Sequence, residues 1–206
     1  MALLGLFLMV FLVVHLGINL CLLRSDGGAW FTAAAHFMGT NYVVKVFEIV
    51  LFGGFIFHVL LGIILQVQNW MSRPVRYAVT NKTYTPFLSK YMIYTGGIVF
   101  IFLIIHFMNF YFIKMGWVSN PNMAEGEPNF YVIAQQLFIQ PFYSILYIIL
   151  FIVLAFHLNH AFQAAWQTLG INHPQYNCFI RIFGTVYSIL IPLGFIIIPI
   201  YFLLIK

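Results

Sequence analysis

Five apolar runs, each long enough to cross a bilayer, constrain this chain more than any other feature. A helix needs roughly 20 residues to span about 30 Å of hydrocarbon. The runs cover about 2–23, 42–67, 91–113, 141–166 and 179–205. All five are continuous rather than alternating, which argues against a β-barrel. The chain has 206 residues, 63% of them hydrophobic and 6% charged, more apolar surface than a soluble domain of this size can hide. The expected fold is an all-α membrane protein, a bundle of five transmembrane helices in one domain over 1–206. Pro141 suits the first turn of the fourth span. Pro192 and Pro199 predict kinks in the fifth. The first run is too long for the core of a signal peptide and lacks a clean small-residue cleavage site, so it reads as a retained helix.

The connections carry what polarity there is. Residues 24–41 read as a polar, Gly-containing loop with room for one short helical turn, and 114–140 as a connection holding Glu125 and Glu127. Residues 167–178 read as a short turn. Residues 68–90 carry Arg73, Arg76, Lys82 and Lys90, and basic loops stay in the cytoplasm. The N-terminus is therefore expected in the cytoplasm and the C-terminus outside. With Arg181 the inner side then holds five Lys/Arg, against four outside: Arg24, Lys45, Lys114 and Lys206. The net charge of +5 comes with no basic groove or nucleic-acid motif, so nucleic acid is not an expected partner. Cys21 and Cys178 fall at opposite faces and are expected as free thiols.

The histidines point to function. His36 and His173 lie in the connections, while His15, His58, His106, His157 and His160 lie in the first four spans. Ionisable groups inside a membrane are rare and usually functional. Helical rise puts His15 roughly 18 Å and His106 roughly 22 Å from the cytoplasmic ends of their spans, but His58 roughly 13 Å and His157 roughly 15 Å. The four thus sort into an outer pair and an inner pair. Two histidines at one level on different helices can hold a haem iron from both sides. Gly17, Gly54, Gly62, Gly96 and Gly97 would let a macrocycle approach the backbone. A single histidine of this kind is often only an interhelical hydrogen-bond donor, but four matched in depth are harder to explain that way.

The segments LVVHLGIN, AAAHFM, FHVLLG, LIIHFMNF and FHLNHAFQAAWQTLGIN together resemble the di-haem cytochrome b subunit of succinate:quinone oxidoreductases, in its five-helix single-anchor form. The resemblance runs over nearly the whole chain. It implies two b haems, His15 and His106 on the distal iron, and His58 and His157 on the proximal one. It also implies a flavoprotein subunit, an iron–sulfur subunit and a quinone, menaquinone, as partners, in a bacterial cytoplasmic membrane. Such subunits usually have a short polar segment before the first helix, whereas this sequence opens with MALLGLFL. His160, Lys90 and Arg181 are candidates for haem propionates or quinone. Glu48, an acid within a span, is a candidate for proton exchange with quinone, the alternative being an ion pair with Lys45 or Lys114. Two rival readings stay open: the di-haem anchor of a hydrogenase or formate dehydrogenase, and a haem-free transporter or channel whose histidines relay protons.

Overall fold

The computed structural model describes residues 1–72, 92–118, 128–171 and 173–204. Lys90, Arg73, Arg76, Lys82, Glu125, Glu127 and Lys206 lie outside them. Among the described residues there is no strand, and five helices are long and apolar enough to span a membrane. In chain order the helices are α1 (Ala2–Leu20), α2 (Ala29–Thr40), α3 (Tyr42–Met71), α4 (Met92–Lys114), α5 (Phe130–Phe138), α6 (Pro141–Thr168) and α7 (Pro174–Leu204). The spans are α1, α3, α4, α6 and α7. They alternate in direction, so one face of the bundle carries Met1, the end of α3, the start of α4 and the α6–α7 turn. This is called the Met1 face below. The opposite face carries α2 and α5.

Two of the connections contain helices. α2 occupies most of 24–41, where the Ala33–Ala35 run favours helix, and it makes His36 an exposed helical residue. Its start is set by Asp26, whose carboxylate accepts the backbone N–H groups of Gly28 (3.0 Å) and Trp30 (3.3 Å). Gly28 turns the chain at φ 84° with the ring of Tyr131 lying where a Cβ would stand, so only glycine suits the position. α5 starts at Asn129, whose side chain accepts from Tyr131 and Val132 N–H. Asn41 caps α3 in the same way through Val43 and Val44. Short polar caps of this kind are easily lost among apolar runs.

The core is asymmetric. Buried residues make up 39% of the spanning window of α7 and 33% of that of α6, against 6% for α3 and for α4. The α6–α7 pair is therefore the spine, and α3 is a peripheral helix whose one buried residue is Gly54. α7 begins five residues earlier than the sequence suggests, with Gln175 N–H donating to His173 Nδ1 at 3.3 Å. It stays helical through Pro192 and Pro199, both buried. Each proline removes one backbone donor, so the carbonyls of Ser188 and Phe195 lose their partner four residues on. On the side away from the Met1 face, Leu22, Phe31, Ile133, Ala134, Phe138 and Phe202 are buried, so α2 and α5 form a packed cap over that end.

Candidate functional site

The structure brings His15 and His106 together. Their ring centroids are 5.8 Å apart with planes at 89°, one on α1 and one on α4. Aromatic rings surround them. Phe11 stacks on His15 at 5.2 Å and Phe195 of α7 lies 5.7 Å away. His106 is flanked by Phe110 at 5.2 Å and Phe102 at 6.1 Å, with Tyr147 of α6 at 6.5 Å. Asn19 donates to the His15 carbonyl at 2.8 Å, which also leaves its amide 3.5 Å from both ring nitrogens. Directly after His106 the helix widens into a π-turn over Phe107–Tyr111. Such turns often mark functional positions. This one shifts the register so that Asn109 donates to the Tyr147 hydroxyl at 2.9 Å. The sequence gives no signal for it.

His58 and His157 lie at a second level, nearer the Met1 face. His58 faces Gly5 of α1, and His157 faces Gly96 of α4, where a Cβ would sit 3.6 Å and 3.4 Å from the respective imidazole Cε1 atoms. Gly5 and His15 are ten residues apart on α1, as are Gly96 and His106 on α4. Both helices therefore put the two levels about 15 Å apart along the bundle. His160 follows His157 by three residues, about one turn further along α6. Thr95 Oγ1 lies 3.4 Å from His157 Nδ1. Between the levels the buried side chains are apolar: Met9, Phe102, Phe151 and Leu154.

The glycines divide differently from the sequence expectation. Gly54 packs against Phe7 and Leu4, and Gly62 against Met1, so these two seat α3 on α1 instead of opening space for a cofactor. Gly17 and Gly97 have open space at the Cβ position, as does Gly53, which the sequence reading passed over.

Glu48 accepts both of its carboxylate contacts from Lys114 Nζ, at 3.0 and 3.1 Å, tying α3 to α4 at the face away from Met1. The Tyr111 hydroxyl also bonds to Glu48, and Lys114 lies 5.5 Å above the Tyr111 ring. Both partners come from the turn that ends the π segment. Lys45 instead sits over the Tyr42 ring at 5.6 Å. Arg181 is exposed on α7 and lines a cavity at the α6–α7 turn. Cys21 and Cys178 are free thiols near opposite ends of the bundle.

Whether these residues suit haem is a question of donor sets. A bis-histidine iron takes one ring nitrogen from each of two neutral imidazoles on different helices. Among the described residues no cluster of three or more His, Cys, Asp or Glu could hold a metal, and an axial pair does not need one. His15 and His106 offer two imidazoles from different helices, α1 and α4, with centroids 5.8 Å apart. His58 Nδ1 is buried without a hydrogen-bond partner, a nitrogen whose environment leaves it unsatisfied. The donor chemistry is therefore compatible with axial ligation, most directly at His15 and His106, whose rings face each other. Set beside known proteins, the chain matches no family model, no curated protein and no solved structure.

Proposed function

We propose that this chain is the membrane-anchor cytochrome b subunit of a succinate:quinone oxidoreductase, carrying electrons between an iron–sulfur partner and a membrane quinone, menaquinone, through two b haems. One observation carries the reading: the histidines of four different spans fall at two levels about 15 Å apart, with His15 against His106 at one of them.

Bound haem supplies reversible one-electron chemistry. The chain's own residues would hold and insulate it. His15 and His106 would ligate at one level, His58 and His157 at the other. Asn19 steadies the His15 turn of α1, and Thr95 lies within reach of the His157 ring. The aromatic wall of Phe11, Phe102, Phe110 and Phe195 keeps water from the first pair. His160 is the described candidate for propionates, and Lys90, which lies outside the described residues, is a candidate on sequence alone. Glu48 sits in the ion pair with Lys114, the alternative the sequence left open, and would exchange protons with quinone from that position. Flavin and iron–sulfur chemistry belongs to partner subunits, since this chain has no flavin-binding fingerprint and only two cysteines. A bacterial cytoplasmic membrane is the setting this reading implies.

The test is a dithionite-reduced minus oxidised spectrum of the purified protein with haem quantitation. Two b haems per chain are expected. A colourless protein would defeat the reading and leave a histidine proton relay. Two haems with hydrogenase or formate dehydrogenase subunits co-purifying would keep the chemistry and change the enzyme.

A further inference from the structure

The α6–α7 turn holds a cavity of about 270 Å³ that contains none of the four proposed haem ligands. Gln163, Trp166 and Gln167 of α6 and Asn177, Cys178 and Arg181 of α7 line it. It sits where two spans end at the Met1 face, at the boundary between hydrocarbon and water. Its polar side chains are a guanidinium and an indole N–H, which only donate, and three amides, which donate or accept. The indole Nε1 of Trp166 is buried and has no hydrogen-bond partner.

Charge defines the ligand further. The described carboxylates, Asp26 and Glu48, are paired with Arg24 and Lys114 at the opposite end of the bundle. No described carboxylate is therefore available to Arg181, and its charge opens onto the cavity. The volume lies just under the roughly 300–1,000 Å³ of pockets that take drug-sized ligands, so it suits a headgroup and not a macrocycle. Next to it on α7, Phe179, Ile182 and Phe183 are exposed towards the bilayer, an apolar surface along which an acyl chain could run.

We propose that this cavity binds a phosphate group of net negative charge, supplied by the headgroup of an anionic phospholipid, with Arg181 as the cation and the α6 amides as further donors. Basic pockets between membrane helices bind such headgroups, and Arg is suited to bidentate phosphate recognition. A zwitterionic headgroup would bring its own cation to Arg181 and is disfavoured.

The experiment is native mass spectrometry of the full, delipidated chain titrated with phosphatidylglycerol or phosphatidylcholine. One phosphatidylglycerol should bind about tenfold more tightly than phosphatidylcholine, the scale of a charge-assisted contact. Arg181→Gln should abolish that preference, Arg181→Lys should keep part of it, and Trp166→Phe should weaken binding by about threefold. Competition by inorganic phosphate separates the two sources of the same chemistry. Lipid that phosphate does not displace identifies the headgroup as ligand, and displacement identifies free phosphate in the same site. Equal binding of the two lipids, or an Arg181→Gln protein that keeps the preference, overturns the proposal. So does loss of chromophore from Arg181→Gln with lipid binding intact, which would assign Arg181 to a cofactor.

Discussion

The two histidine levels are built by opposite means. His15 and His106 are walled by aromatic rings: their centroids lie 5.8 Å apart within a shell of Phe side chains, with Asn19 and the Asn109–Tyr147 bond beside them. A cap of α2 and α5 then closes that end of the bundle. His58 and His157 are held by space: each faces a glycine, His58 Nδ1 is unpartnered, and α3 is the least buried span together with α4. One level is walled by aromatic side chains, while the other borders α3, whose one buried residue is Gly54. The contrast teaches that similar donors on similar helices can be tuned separately, because enclosure decides how much water each sees.

The largest effect that could break this comparison is loss of one level without the other. If the two levels hold haem as proposed, His15→Ala and His106→Ala should each remove the same half of the chromophore, and the double variant should remove no more, since both act on one unit. His58→Ala should remove the other half. Spectroscopic haem content checks this, and a single variant that empties both levels would show that the levels are not independent.

Glycine substitutions should then separate the two modes of support. A Cβ at Gly96 already approaches His157 at 3.4 Å, so Gly96→Val forces the ring to move, at a cost of about 1–3 kcal/mol, and should disturb only the level near Met1. Gly17→Ala has open space and should change neither the spectrum nor the thermal unfolding in detergent. Equal damage from both would erase the distinction.

Much of this arrangement was legible in the sequence. Span number followed from run length, because a bilayer imposes a minimum on each helix. The two levels followed from residue counts, because helical rise is fixed. What the sequence hid depends on register and side-chain packing. Gly54 and Gly62 look like cofactor glycines until Phe7, Leu4 and Met1 fill the space beside them. The π-turn after His106 leaves no mark in a uniformly apolar run, yet it aims Asn109 and Tyr111. The cap was missed because α2 and α5 are too short for a spanning pattern and start at single polar residues, Asp26 and Asn129.

Smaller effects sharpen the enclosed level. Tyr147 is 1% exposed, and its hydroxyl accepts from Asn109. Tyr147→Phe leaves that amide without its acceptor and should cost about 1 kcal/mol, read as a lower unfolding temperature, with the other level's spectrum unchanged. The Glu48–Lys114 pair is partly exposed, so Lys114→Gln should cost at most about 1 kcal/mol, and less in high salt. Glu48→Gln should be as mild for stability while, on the proposed function, slowing quinone turnover. A full-speed Glu48→Gln enzyme would remove Glu48 from the proton path.

The smallest effect belongs to the cap itself. Burial alone would raise the Asp26 carboxyl, but the N–H groups of Trp30 and Gly28 and the Arg24 guanidinium outweigh it and hold the group below the usual carboxylate range. A carboxylate lowered on folding adds stability that is fully present above its unfolded pKa, near 4, and is lost as pH falls through the folded value. Acidification should therefore loosen α2 first and leave the Met1 face unchanged. Hydrogen exchange of the Gly28 and Trp30 amides across that pH range measures this. Asp26→Asn keeps an acceptor but loses the charge, so it should flatten the pH dependence while retaining part of the protection. If Asp26→Asn kept the full acid response, the cap would be titrated by some other group, and the enclosed level would owe its closure to apolar packing alone.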